Sequence, residues 1–215
     1  MWALVLTSVL LLGQATEVGP KDRCVCAAVR EAGGWCRVHQ VGYVGDVEVH
    51  SAWLFDTIDP HGHDVDVTMF PCPTCQRAIA TDGMCAEHKV GFVEKRAYFS
   101  VLTHHLAKGT VRHASDIQCP RCRKNAAGHG WCDRHAVGML GATEIRDRRE
   151  YDEAVHAADI LRAADARAAR CDRCAAAMVT DTECPLCHIR YRDGKAVGGG
   201  GRGRGAQSPA TGGHP

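Results

Sequence analysis

Residues 72–88 read Cys72-Pro73-Thr74-Cys75-Gln76-Arg77-Ala78-Ile79-Ala80-Thr81-Asp82-Gly83-Met84-Cys85-Ala86-Glu87-His88, two close pairs of thiol or imidazole groups separated by nine residues. The spacing recurs. Cys119 and Cys122 precede Cys132 and His135 by the same interval, as Cys171 and Cys174 precede Cys184 and Cys187. Cys24, Cys26, Cys36 and His39 form another set that differs only in its first pair, where one residue intervenes instead of two. The second cysteines stand at 26, 75, 122 and 174, so the periods are 49, 47 and 52 residues. A period of this size marks a repeat architecture, and the likeness extends past the paired groups. Val41-Gly42-Tyr43-Val44, Val90-Gly91-Phe92-Val93 and Val137-Gly138-Met139-Leu140 each begin two residues after the fourth group, with Ile189-Arg190-Tyr191 as a worn copy. Farther on, Phe55-Asp56-Thr57-Ile58, Phe99-Ser100-Val101-Leu102 and Tyr151-Asp152-Glu153-Ala154 align as the middle of a following segment.

The cysteine count selects the chemistry. All 13 cysteines fall in the repeats, and with His39, His88 and His135 they make 16 groups, four complete tetrahedral sets. Zinc in a closed structural site takes four such ligands, which two close pairs deliver to one ion, so about four zinc ions per chain are expected. A disulfide framework, the usual use of cysteine in a small secreted chain, leaves an odd cysteine and gives the three histidines no role. Cys72 and Cys75 alone would suit a redox pair, but they belong to a set of four. Cys184-Pro185-Leu186-Cys187-His188 matches a c-type haem attachment string, yet it coincides with the second pair of the last set. Cys24-Val25-Cys26, the tighter turn, would also suit Cu(I) between thiolates.

Each unit resembles a zinc ribbon, the two-knuckle module in which paired ligands on two turns clamp one zinc. The resemblance covers each unit from its first to its fourth ligand and departs from the pattern at Cys24-Val25-Cys26. It implies metal binding but not a function, since zinc ribbons serve in nucleic-acid machines, as protein adaptors and as structural staples.

The turn formers Gly33-Gly34, Asp82-Gly83 and Gly128-His129-Gly130 predict a tight hairpin between the pairs. The Val-Gly pieces predict a short strand, followed in the first three units by a helix. Two of these helices are expected to end near Gly62 and Gly109, with glycine as the left-handed cap. The third, over 147–170, is the clearest, because Tyr151, Val155, Ala158 and Leu161 recur at helical spacing. The fold class expected is therefore a small metal-stabilised α+β chain of four tandem ribbon-like units, spanning 16–71, 72–118, 119–170 and 171–197.

The ends differ in kind. Residues 3–13 are an uncharged Leu- and Val-rich run, and Gly13 and Ala15 are small residues that a signal peptidase reads. The run is shorter than the roughly 20 residues a membrane-spanning helix needs. The expectation is a signal peptide over 1–15, a mature chain beginning near Thr16 with no transmembrane segment, and export to a periplasmic or extracellular space. Without that signal the chain would be cytoplasmic. Residues 198–215 are glycine-rich with no large apolar side chain, the composition of a disordered tail.

Twelve aromatic residues, four each of Phe, Tyr and Trp, are few anchors for 215 residues, so burial alone does not hold the chain. The formal charge of +1 argues against a nucleic-acid binder, which normally carries a basic excess. Residues 144–170 mix six arginines with seven acids, as a solvated helix face does. Sets of four protein ligands leave no open position for a catalytic water, and no phosphate loop or nucleophile elbow is present, so no enzyme is expected. Three functions remain: an exported, non-catalytic zinc scaffold contacting a protein partner, a metal buffer or metallochaperone, and a nucleic-acid-binding ribbon array. Asp59, His61, His63, Asp64 and Asp66 form one further cluster with ligand chemistry, which could hold a surface metal but reads more readily as a polar loop after a helix. His104, His105, His50, His113, His129 and His156 read as surface or half-buried residues.

Overall fold

A helix, and not a hairpin, separates the two ligand pairs of every unit. The computed structural model describes residues 26–198; the expected signal segment, Cys24 and the tail from 199 onward lie outside the described residues. The first unit runs α1 (Cys26–Glu31), β1 (Trp35–Cys36), β2 (Val41–Val44), β3 (Val47–Val49) and α2 (Ala52–Ile58). The second follows β4 (His63–Asp64) with α3 (Pro73–Ala80), β5 (Met84–Cys85), β6 (Val90–Val93), β7 (Arg96–Tyr98) and α4 (Val101–Lys108). The third follows β8 (Thr110–Val111) with α5 (Pro120–Ala126), β9 (His129–Cys132), β10 (Val137–Leu140), β11 (Thr143–Ile145) and the long α6 (Arg148–Ala168). The last has only α7 (Asp172–Thr180), β12 (Tyr191–Arg192) and β13 (Lys195–Ala196).

The expected hairpin fails because the turn formers occupy only the end of the interval. Pro73 and Pro120 open their helices, where the missing N–H has no helical partner to lose and φ is already set. Cys75, Ala78 and Ile79 are buried on α3 at helical spacing. Gly33, Asp82 and Asp181 then take left-handed φ of 65°, 49° and 54° and turn the chain into the next segment. The expected glycine caps also differ. Asp59, not Gly62, caps α2 at φ 41°, and Gly109 caps α4 with φ −71°, outside the left-handed region. Glycine is needed at 109 for space, since a Cβ there would lie 2.3 Å from Thr143 Cγ2.

One packing device repeats through the first three units. Trp35, Met84 and Trp131 pair across the hairpin with Gly42, Gly91 and Gly138. On each glycine lies a ring from the helix that follows. A Cβ would come within 2.2 Å of Phe55, 2.4 Å of His104 and 2.0 Å of Tyr151. Each ring stands thirteen residues after its glycine and fourth in its helix, beyond an N-cap of Ser51, Ser100 or Asp147. Ser and Asp are favoured caps because their oxygens satisfy free N–H groups of the first turn; Ser51 does so for Leu54 and Asp147 for Glu150. The sequence alignment of Phe99 with Phe55 and Tyr151 is thereby corrected. His104 holds that position, and Phe99 stands 46% exposed before α4. The last unit lacks the device, and Glu183 bridges Arg190 in its place with an ion pair at 3.2 Å.

The units interlock. β4, which follows the first unit, pairs with β7 of the second, and β8 pairs with β11 of the third, so each linker strand completes the next unit's sheet. One core then joins all four: Val44, Leu54 and Phe55, Leu102, Leu140 and Leu161, and Ala175 and Met178. The buried stripe of α6, Tyr151, Ala154, Ala158, Leu161 and Ala164, is its axis, while Val155 is half-buried. Carboxylates clip the units together at the rim. His50 pairs with Asp165 at 2.9 Å, and buried Asp46 meets His129 at 2.8 Å and Arg162 at 2.6 Å.

His104 and His105, read from sequence as surface or half-buried, are both buried, 3% and 6% exposed. Burial holds both imidazoles below their ordinary range, reinforced at His104 by His105 and opposed at His105 by Glu150 and Glu153. A depressed folded pKa means the unfolded chain binds more protons below the ordinary value of 6.5, so this contribution is intact above that pH and is lost as pH falls. The double variant His104→Gln/His105→Gln should therefore lose less stability than the parent between neutral pH and about pH 5.5, as read by thermal melts at each pH. Gly138→Ala should cost about 1–3 kcal/mol by overpacking against Tyr151, a fall of several degrees in Tm, whereas Gly128→Ala, with nothing within 4 Å of its Cβ, should change it little.

Candidate metal centres

The two ligand pairs of a unit meet because a helix start and a hairpin turn face one another. Cys72 occupies the N-cap of α3 and Cys75 its first turn, while Cys85 ends β5 and His88 follows in the turn before β6. The ligand atoms of Cys72, Cys75, Cys85 and His88 lie within 4.8 Å of one another, as do those of Cys119, Cys122, Cys132 and His135, and those of Cys171, Cys174, Cys184 and Cys187. Cys26, Cys36 and His39 form a fourth cluster by the same measure; Cys24 lies outside the described residues. Among the described residues no cluster takes a ligand from another unit.

The spacings match four groups around one ion. A tetrahedron with Zn–S near 2.3 Å has S···S edges of about 3.8 Å. Cys171 Sγ lies 3.9 Å from Cys184 Sγ and 3.8 Å from Cys187 Sγ. The Nδ1 atom of His88 lies 3.3 Å from Cys75 Sγ and 3.5 Å from Cys85 Sγ, and that of His135 lies 3.4 Å and 3.6 Å from Cys122 and Cys132 Sγ. The first cluster is tighter, with Cys26 Sγ 2.9 Å from His39 Nδ1 and 3.3 Å from Cys36 Sγ. A disulfide needs about 2.05 Å, and no disulfide joins the described cysteines from Cys72 to Cys187.

Charge gives a second test of fit. Burial pushes the Cys75 and Cys122 thiols up to about 12, assisted by the other sulfurs of each cluster. Backbone N–H groups of the same turns, Cys75 to Cys72 and Cys122 to Cys119, hold the outer thiols low. In the last cluster burial raises Cys184, but the N–H groups of Cys187 and Leu186 bring it down to about 7, and the Cys187 thiol, donating to the sulfurs of Cys174 and Cys171, is pushed up to about 12. Such a cluster cannot shed all its protons unaided. A divalent cation held by these ligands would supply the missing charge, and a coordinating thiol would then be deprotonated outright.

Every unit also holds one strained residue just past its last ligand. Gln40, Lys89, Ala136 and His188 take φ of 53°, 52°, 48° and 55°, a region side chains seldom enter and which costs roughly 1–2 kcal/mol. The kink sends the chain straight from the fourth ligand into the return strand. In the three complete clusters two ligands are buried, one is half-buried, and the fourth, His88, His135 or Cys187, is exposed.

The other sequence candidates are dispersed. Asp59 pairs with His63 at 2.9 Å, Asp64 with Arg96 at 3.1 Å, and Asp66 accepts from Thr68, so the acidic and histidine loop gathers no cluster. His188 of the haem-like string lies beside Glu183 and outside the four-ligand group, while Cys184 and Cys187 turn toward Cys171 and Cys174. His50, His129 and His156 pair with carboxylates of distant segments, a role that sequence spacing could not reveal. No helix among the described residues is long and apolar enough to cross a membrane. The chain matches no family model, no curated protein and no solved structure.

The clusters differ in what they support. Cys75 with Cys85, and Cys122 with Cys132, sit in small local cores, whereas Cys174 and Cys184 belong to the core that joins the units. Cys184→Ser should remove one metal ion and leave the remainder bound, because ligands are not shared between units. Structural zinc is worth about 10–16 kcal/mol coupled to folding, comparable to the whole stability of a domain, so Cys184→Ser should also abolish the cooperative melt. Cys85→Ser should lose one ion with a smaller shift of the main transition. Native mass spectrometry paired with calorimetry reads both outcomes.

Proposed function

We propose that this chain is a non-catalytic zinc-binding scaffold, exported and held in shape by about four structural zinc ions, that presents a surface to a protein partner. One observation carries the reading: three complete sets of four protein ligands, each with two cysteines sealed in a core. A catalytic zinc keeps a position open for water or substrate, and these sets fill all four. Zinc supplies a cross-link and the charge that lets the thiols ionise; the chain supplies the ligands, the N–H groups that bond to sulfur, and the cores that exclude water.

The same burial speaks against a metal buffer, since release would require part of a core to open. Nucleic-acid binding is disfavoured by the balance of charge and by its use. Arg30, Arg96, Arg112, Arg148, Arg149, Arg162 and Arg190 are all engaged with carboxylates. Export rests on the apolar run at 3–13 and belongs to the same proposal.

The test is protein purified from its native compartment. We expect a chain beginning near Thr16 with about four zinc ions by the ligand arithmetic, collapse of near-ultraviolet dichroism on chelation, and nucleic-acid binding that stays weak at physiological salt. Metal-free protein that remains folded with paired, oxidised cysteines would contradict the zinc reading. Tight nucleic-acid binding that falls steeply with salt would replace the scaffold by the ribbon-array reading.

A further inference from the structure

The second unit breaks the repeat at one place. Trp35 and Trp131 stack against the rings of Phe55 and Tyr151 at centroid distances of 5.4 Å and 5.5 Å. In the second unit the paired positions hold Met84 and His104, so no indole is present. A groove of about 700 Å³ opens beside Met84, between the second unit, α6 and the end of α7. Its floor is apolar, formed by Met84, Phe99, Val101, Ala157, Ile160 and Val179. Phe99 and Val101 are 46% and 37% exposed there, and neither is used by the core that joins the units. Around this floor stand four carboxylates, Glu87, Glu153, Asp181 and Asp193; Asp181 is paired with Lys89 at 3.0 Å, Glu153 with Arg149 at 2.8 Å and Asp193 with His156 at 2.5 Å. With Arg149 counted beside Lys89 and histidines neutral, the groove carries a net charge of −2, four acids against two fixed cations, on a chain whose total is +1.

Resting on the scaffold reading above, we infer that this groove is the docking site for a partner segment that presents an aromatic side chain flanked by lysine or arginine. The apolar floor next to Met84 accepts the ring, in a unit that lacks the indole its sister units carry. The carboxylate rim selects positive charge on either side of that ring. Aromatic anchors in desolvated pockets dominate binding energy at interfaces, and complementary charge sets specificity and rate of encounter. The N-terminal and C-terminal segments of this chain fit poorly as occupants. The first carries no basic residue in its apolar run, and the second carries two arginines but no aromatic residue.

The test uses the full zinc-loaded chain and three short labelled synthetic peptides: Lys residues around one Trp, the same peptide with Glu for Lys, and the same with Ala for Trp. Fluorescence anisotropy should show saturable binding of the Lys/Trp peptide, about tenfold or more tighter than either control, and weakened by salt. Met84→Trp restores the residue of the sister units and should fill the groove, weakening binding at least tenfold with zinc content and circular dichroism unchanged. Phe99→Glu, at an exposed position, serves if Met84→Trp disturbs folding and should weaken binding likewise. Absence of saturable binding, equal binding of the three peptides, or full binding by both variants would overturn the groove assignment. The scaffold reading is separated from it by photo-crosslinkers placed at Phe99, Met69 and Leu186 in native extract. A partner captured only at Met69 or Leu186 refutes the groove and spares the scaffold, whereas no capture at any of the three refutes the scaffold itself.

Discussion

The structure depends on the gathering of thiols and imidazoles into clusters less than 4.8 Å across. Burial first, and the neighbouring sulfurs second, raise the thiols of Cys75 and Cys122, while hydrogen bonds to neighbouring sulfurs raise that of Cys187. A divalent cation held there would let these thiols ionise and would cross-link the helix start to the turn in each unit. The rest of a unit is arranged for this purpose. In the three complete clusters a helix capped by a cysteine brings two ligands together and a two-strand turn brings the other two, and in every unit a strained residue at 40, 89, 136 or 188 returns the chain to the sheet. The strain is modest beside the binding energy of a structural zinc.

Metal alone would give four knots on a string. The knots become one body through small residues at chosen places. Gly42, Gly91 and Gly138 let a ring from the next helix lie flat on the strand, and the alanines of α6 let α4 and α7 approach its axis. Linker strands β4 and β8 close the sheets of the units that follow them. The last unit has neither a linker strand nor a strand glycine. It compensates by placing its own cluster in the common core, where Cys174, Cys184 and Tyr191 pack with Met178.

Much of this was legible in the sequence. Identical ligand spacing revealed the repeat and the three complete Cys/His clusters, because metal coordination constrains spacing more tightly than packing does. The strands after the fourth ligands and the long helix near 147–170 were legible from alternation and helical periodicity. The helices between the ligand pairs were not, since glycine and aspartate near the second pair masked the spacing of Cys75, Ala78 and Ile79. His104 was misplaced because its role is geometric: it lies thirteen residues beyond Gly91, as Phe55 and Tyr151 lie beyond theirs, while Phe99 offered a chemically closer match. The pairing of Asp46 with His129 and Arg162 joins segments more than eighty residues apart, beyond the reach of local pattern.

X-ray absorption at the zinc edge tests the central claim most directly. Thirteen cysteines and three histidines shared among four ions require a mean environment dominated by sulfur with a minor share of nitrogen. The account predicts four-coordinate zinc with Zn–S near 2.3 Å and Zn–N near 2.0–2.1 Å, and no bound water in the complete clusters. A substantial oxygen shell, or five- to six-coordinate metal, would contradict closed structural sites and with them the role assigned to every cluster.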